Sequence, residues 1–234
     1  MKSLVKIDDL FFKPPGLGHV LFYPGLPGGG STIFDKSPYG NNGSIVGATW
    51  VKSPLGLWCL SFDGTDDYVD CGNLPSIEDT IGNVFSLEVW CYMPSLPSVR
   101  SESGQIFSKR KQWNNNNIEF FCSQYTDSYG IILQDGTYSD STSIAAFAGV
   151  WQHVVATVSS SSLYVYCNGV PSSPGARRVA VISNDMTLQI GRKAGSNSER
   201  WLGLIALPKA HRYALSPFEV RSHFEREKYL FGVW

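Results

Sequence analysis

The chain has 234 residues, a net charge of −1, and only 17% charged residues beside 43% hydrophobic ones, where soluble domains typically carry about 25% charged residues. That balance offers no electrostatic basis for binding nucleic acid or an anionic membrane, and no apolar run approaches the ~18 residues of a membrane span. Aromatics reach 13%, with 7 Trp and 11 Tyr, which suits β-sheets and surfaces that bind sugars or proteins.

The first predicted strand covers residues 18–23 and runs into Gly25-Leu-Pro-Gly-Gly-Gly-Ser-Thr32. Strand, glycine loop and Ser-Thr together pose the question of a phosphate-binding loop. The answer is negative. Ser31 stands where the lysine belongs, and residues 33–43 are turn formers that start no helix to complete the cradle. The three successive glycines let another backbone come close, and a partner subunit is the expected neighbour.

Further strands are predicted at 44–51, 57–62, 68–71, 85–93, 105–109, 118–124, 130–134, 151–158, 162–168, 187–190 and 202–211, separated by turn signals. Apolar–polar alternation is clearest in Ser86-Leu-Glu-Val-Trp-Cys-Tyr92. Asn168-Gly169 and Asp135-Gly136 are hairpin signals. One stretch reads as helix, from Ser216 to about Glu227: Ser216 caps, Pro217 fits the first helical position, and Glu219 completes a capping box. No linker or composition shift divides the chain. The expectation is one all-β domain of sandwich or jelly-roll type with a late short helix.

Five cysteines, an odd number without a CxxC, indicate neither a disulfide framework nor a zinc knuckle. Four lie in apolar strand-like runs and read as buried free thiols, the state expected in a reducing compartment. The first 16 residues lack the continuous apolar core of a signal peptide.

Several segments, taken together and in order, resemble the laminin-G-like, concanavalin A-like lectin/glucanase family. They are Leu21-Phe-Tyr23, Phe34-Asp-Lys-Ser-Pro-Tyr-Gly-Asn-Asn-Gly43, Leu60-Ser-Phe-Asp-Gly-Thr-Asp-Asp-Tyr-Val69, Phe85–Met93, Trp151-Gln-His-Val-Val-Ala-Thr157, Leu163–Gly169, Leu188-Gln-Ile-Gly191 and Gly203-Leu-Ile205. The resemblance spans about 18–228. It implies a concanavalin A-like jelly-roll of two antiparallel sheets with one short C-terminal helix, in a family of mostly non-catalytic binding modules. The expected organisation is an N-terminal arm (1–17), the jelly-roll domain (18–228) and an apolar tail (229–234). Where relatives carry an Asp-Glu pair that holds calcium, this chain has Ala206-Leu207-Pro208. No cofactor is therefore expected, with calcium the open alternative through Asp35, Asn41, Asp66 and Asp67, whose other reading is turn chemistry.

Hydrolases of this superfamily place paired carboxyls on one strand, and glycoside hydrolysis needs two about 5–9.5 Å apart. The best strands carry only Glu88 and Glu119, each read as an outward-facing, solvated carboxylate. His153 reads as a packed histidine, while His19, His211 and His223 are scattered along the chain, and no metal-ligand cluster is evident. Binding remains. Loops mixing aromatics with amides and hydroxyls point to Trp113, Asn115, Tyr125, Tyr129, Tyr138 and Trp201 as ligand-binding candidates.

A lectin-like module without a signal peptide suggests a virion structural protein, made in the host cytoplasm and displayed on a capsid or tail. On that reading the N- and C-terminal segments dock other virion proteins, self-association and contact with host glycans are further expectations, and neither nucleic acid binding nor membrane insertion is expected. The alternatives are a secreted or cell-surface carbohydrate-binding or adhesion domain and, third, a glycoside hydrolase.

Overall fold

The computed structural model describes residues 18–73, 75–80, 84–110, 117–179 and 184–234. Its first strands are β1 (His19–Phe22), β2 (Thr32–Ile33), β3 (Gly43–Val46), β4 (Thr49–Lys52), β5 (Trp58–Asp63) and β6 (Tyr68–Asp70). The middle of the chain forms β7 (Phe85–Tyr92), β8 (Gly104–Lys109), β9 (Asn117–Cys122), β10 (Ser128–Gln134), β11 (Ser139–Ala145) and β12 (Trp151–Val158). Then come β13 (Ser162–Cys167), β14 (Val170–Pro171), β15 (Gly175–Ala176), β16 (Gln189–Ile190) and β17 (Leu202–His211). Short helices α1 (Pro75–Glu78) and α2 (Pro97–Arg100) precede α3 (Pro217–Glu227), which continues into a 3₁₀ turn, Lys228–Phe231.

Two antiparallel sheets result. The larger runs β14–β13–β12–β7–β17–β5–β4, with β1 added to β17 and β15 to β13; the smaller runs β11–β10–β9–β8–β16–β6–β3–β2. The expected all-β sandwich is therefore present. Inward residues of both sheets, such as Leu87, Val89, Cys91, Phe120, Ile131 and Val154, form one apolar core. All five cysteines are buried and unpaired, and burial pushes the thiols of Cys59 and Cys71 up to about 12. No helix among the described residues is long and apolar enough to cross a membrane.

Local chemistry accounts for several junctions. The predicted strand at 44–51 is two strands in different sheets, β3 and β4, because Gly47 turns the corner at φ +76°. Asn168 and Gly169 take φ of 51° and 78°, the paired positive values that a two-residue hairpin turn demands. The loop at 25–31 lies back on the domain, where the Trp50 indole donates to the Gly30 carbonyl at 2.8 Å. Strand β11, Ser-Asp-Ser-Thr-Ser-Ile-Ala, is absent from the sequence-based set. It is a half-exposed edge strand whose polar composition reads as loop.

Strand β17 breaks its register between Ala206 and Lys209, where Leu207 takes φ 48° and Pro208 has no N–H to give the ladder. Its first half pairs with β5 and its last residues with β1. The bulge also switches parity. Leu204 and Ala206 face outward before it, and Lys209 and His211 face outward after it, while Ile205 and Ala210 point into the core.

Helix α3 carries the predicted capping box: the Ser216 hydroxyl accepts from the Glu219 N–H, and the Glu219 carboxylate accepts from the Ser216 N–H. The helix buries Val220, Phe224 and Glu227, so it covers the outer face of the larger sheet. Within the segment read as an apolar tail, 229–234, Phe231 is buried against Trp90 and Trp151 at ring separations of 4.4 and 4.7 Å. Stacking on two indoles removes more apolar surface than solvent display would.

One of the two tightest backbone approaches to a glycine, the other being at Gly25, tests this topology. A Cβ on Gly203, at φ +132°, would stand 2.1 Å from the Tyr92 carbonyl oxygen. Gly203→Ala is expected to destabilise the domain by about 3 kcal/mol or more. Gly56→Ala, at φ +90° with open space around it, should cost only about 1 kcal/mol. Urea midpoints of the two variants check the contrast.

Candidate functional site

The loop candidates do not converge. Trp113 and Asn115 lie outside the described residues. Tyr125, 86% exposed, sits in the β9–β10 turn, and Tyr138 in the β10–β11 turn. The length of β10, about 20 Å at ~3.3 Å per residue, separates them. Two assignments are corrected. Tyr129 is fully buried because it shares the inward face of β10 with Ile131 and Leu133, and its hydroxyl donates to Gln152 Oε1 at 2.9 Å. Trp201 is 1% exposed, packed in the core beneath Gly104.

The carboxylates expected to be solvated are also buried. Glu119 is bound by Arg110 Nε at 3.1 Å and by Gln105 Nε2 at 2.9 Å. Burial pushes its carboxyl up, and Lys193 and Arg110 offset only part of that. Glu88 is 0% exposed. Alternation along β7 does send Glu88, Trp90 and Tyr92 to the outer face, as the sequence indicates, but α3 roofs that face.

Around Glu88 the chain gathers its 4 histidines, which sequence position scatters. His153 Nε2 from β12 lies 3.0 Å from Glu88 Oε1, and His211 Nε2 from β17 lies 2.9 Å from Oε2. His223 Nδ1 from α3 is also 2.9 Å from Oε2. His19 from β1 packs on His211 at a ring separation of 4.5 Å. Lys209 Nζ donates to Glu88 Oε1 at 2.7 Å and to Glu227 Oε1 at 2.5 Å, and the Trp90 indole donates to Glu227 Oε2 at 2.8 Å. Sequence separation hid this cluster; the one local signal was a glutamate at an outward position two residues before Trp90.

The electrostatics follow from these contacts. Burial pushes Glu88 up, but the Lys209 ammonium, His223 and the hydrogen bonds from His153 and His211 outweigh it and hold the carboxyl well below its ordinary value. Burial opposes the Lys209 charge, yet Glu227 and Glu88 together raise its pKa. Glu88 with His211 and His223, or with His153 and Glu227, could supply metal ligands by proximity. The Lys209 ammonium already bridges both carboxylates, so the cluster holds its own cation. It does not fit a second, divalent one without expelling the lysine.

Calcium at the family's expected position fares similarly. Asp35 Oδ1 accepts from the Phe22 and Ser37 N–H groups, and Oδ2 from the Asn41 N–H and the Ser37 hydroxyl. That is turn chemistry, and β17 supplies no acid at Ala206-Leu207-Pro208. Asp63, Asp66 and Asp67 bring carboxylate oxygens within 4.8 Å of one another in the β5–β6 turn, where Asp67 Oδ2 accepts from the Asp63 N–H.

Beyond Trp90 on the same row, Tyr92 opens onto a groove of about 810 Å³. Half-buried Tyr92 and Leu204 and buried Trp151 line it on the sheet; Phe231, Gly232 and Val233 of the C-terminal segment form a wall; Lys52 and Asn168 add polar groups. The Tyr92 and Trp151 rings stand 6.0 Å apart. The Lys52 ammonium lies 4.9 Å over the Trp58 ring. No carboxylate side chain lines the groove among the described residues.

The sequence profile of the concanavalin A-like lectin/glucanases superfamily matches residues 63–221. No curated protein matches. Among solved structures, domain 4 of AbnA, a GH43 extracellular arabinanase from Geobacillus stearothermophilus, solved in complex with arabinotriose, is similar at a TM-score of 0.69 and 16% identity. That match covers 88% of this chain and 97% of the arabinanase domain. The receptor binding domain of botulinum neurotoxin C/D mosaic serotype is similar at a TM-score of 0.71 and 15% identity, over 88% of this chain and 51% of that one. The binding domain of Paraclostridial Mosquitocidal Protein 1 matches at 0.71 and 14%, over 88% and 52%. The chain thus spans about half the length of the toxin domains, and at these identities the likeness is one of fold.

Removing the central carboxylate should expose its structural weight. Glu88→Ala leaves the Lys209 charge with Glu227 alone and strips three imidazoles of their acceptor. A loss of about 3–5 kcal/mol is expected, as for breaking a buried ion pair, read from urea unfolding at pH 7.5.

Proposed function

We propose that this chain, which belongs to the concanavalin A-like lectin/glucanases superfamily, is a non-catalytic binding module that seats a carbohydrate in the groove beside its C-terminal segment. The observation that carries the reading is the half-buried Tyr92 ring beside Trp151 on the floor of that open groove. An aromatic face suits the apolar C–H face of a sugar ring, and a few fixed polar groups, here Lys52 and Asn168, suit its hydroxyls. The arabinanase domain solved with arabinotriose, alike over nearly its whole length, supports the ligand class. Hydrolysis is disfavoured. It needs two carboxyls across the scissile bond, and the nearest buried pair, Glu88 and Glu227, is bridged by Lys209.

Carriage on a larger assembly, a virion or a cell surface, is the second part of the proposal. Trp234, 86% exposed, meets half-exposed Tyr229 edge-on at 5.6 Å, and together they give the domain an apolar knob for such a partner. Absence of the protein from purified particles would sink the virion form of this idea.

A glycan array tests the first part. Wild type should bind at least one glycan, and Tyr92→Ala should weaken that binding by about tenfold or more, the ~1.4 kcal/mol scale of an aromatic contact. Tyr138→Ala, in the β10–β11 turn of the other sheet, should leave it unchanged. Binding that survives Tyr92→Ala moves the ligand elsewhere, and an array without any hit removes the carbohydrate reading.

A further inference from the structure

We propose that the groove is acid-gated: proton uptake by His211 and His19 in the cluster around Glu88 undocks the 217–231 segment, and the groove loses the wall that Phe231, Gly232 and Val233 form. The consequence for a ligand rests on the carbohydrate reading above; the undocking does not.

The groups that face the cluster come from every element packed there. Strand β7 gives Glu88, β12 gives His153, β17 gives Lys209 and His211, β1 gives His19, and α3 gives His223 and Glu227. The Tyr213 ring meets His211 edge-on at 5.9 Å. Arg221 of α3 and Lys228 of the 3₁₀ turn lie over the Phe224 ring and pair outward with Glu225. Apart from this cluster, the segment rests on a few apolar side chains, chiefly Val220, Phe224 and Phe231.

Two features make the cluster intolerant of protons. The first is charge. Two carboxylates and one ammonium leave a single negative charge, so one imidazolium completes neutrality and every further one makes a buried net positive charge, which is costly. The second is hydrogen bonding. The Nδ1 atoms of His153 and His211 are buried without a partner. For His211 that fits a neutral ring donating from Nε2 to Glu88, and a proton on its Nδ1 would be a buried donor with no acceptor.

The sign is set by His211 and His19. Burial depresses both below the ordinary value of 6.5 despite the opposing pull of Glu88, with Lys209 adding to the depression, and takes His19 to about 3. A histidine depressed in the docked state leaves docking intact above about 6.5 and weakens it progressively as pH falls from there toward the depressed value. Glu88 is held well below its ordinary value, so the cluster's central anion is not lost first. The first element to yield is the one held from outside the sheet, since His153, His211 and Glu88 are also fixed by strand pairing.

Hydrogen exchange of the intact chain, corrected for intrinsic rates, from pH 7.5 to pH 5 tests the gate. Protection in 217–231 should fall at least about tenfold more than protection in β7 and β12. His211→Gln, which keeps a donor but does not titrate, should flatten that difference. Should it fail to fold, His19→Gln, on the more open ring, should halve it on a logarithmic scale. Protection of 217–231 that holds to pH 5, or falls only in step with the strands, overturns the proposal, as does a fall that both variants leave unchanged. With any array hit as probe, binding should weaken over the same range in wild type and not in the folded variant. An array with no hit at either pH sinks the carbohydrate reading alone, and the exchange result still decides the gate.

Discussion

A carboxylate with no solvent exposure needs partners, and Glu88 draws them from three other elements, strands β12 and β17 of the larger sheet and its covering helix. Ionised and buried, it would cost several kcal/mol alone. Lys209 supplies the counter-charge, the imidazoles fill the remaining lone pairs, and Glu227 fixes the lysine from the other side. The position of α3 on the sheet follows. So does the place of the 3₁₀ turn that continues it, because Phe231 lands on Trp90 and Trp151 only with the helix seated.

The inner and outer faces of the larger sheet therefore do different work. Inward, Leu87, Val89 and Cys91 join an apolar core shared with the second sheet. Outward, Glu88, Trp90 and Tyr92 on the same strand form a row that passes from ionic anchor to aromatic stack to open groove. The aromatic stack and the groove are neighbours two residues apart, and the C-terminal segment touches both.

The fold was largely legible in the sequence, since strand alternation, the Asn168-Gly169 turn and the Ser216 capping box are local patterns. What escaped was non-local or atypical. Strand β11 is too polar to read as a strand, and the corner at Gly47 divides what reads as one run. For the candidate site, the outward parity of Glu88 was readable, but the roof over it was not. Nothing local ties His19, His153, His211 and His223 together; only strand order does. Tyr129 and Trp201 were misread because their polar sequence neighbours suggest loop surface, while strand parity and the packing under Gly104 decide their burial.

The bulge at Leu207–Pro208 decides on which side of the sheet a charge stands. A register slip of this kind lets a strand change which face its residues serve without changing its length in space. Residues past the slip face the side opposite to the one that plain alternation assigns, which is how Lys209 comes to stand beside Glu88 on the outer face. The buried carboxylate thus has a counter-ion encoded in the chain itself, and its charge is met whatever ions surround the protein.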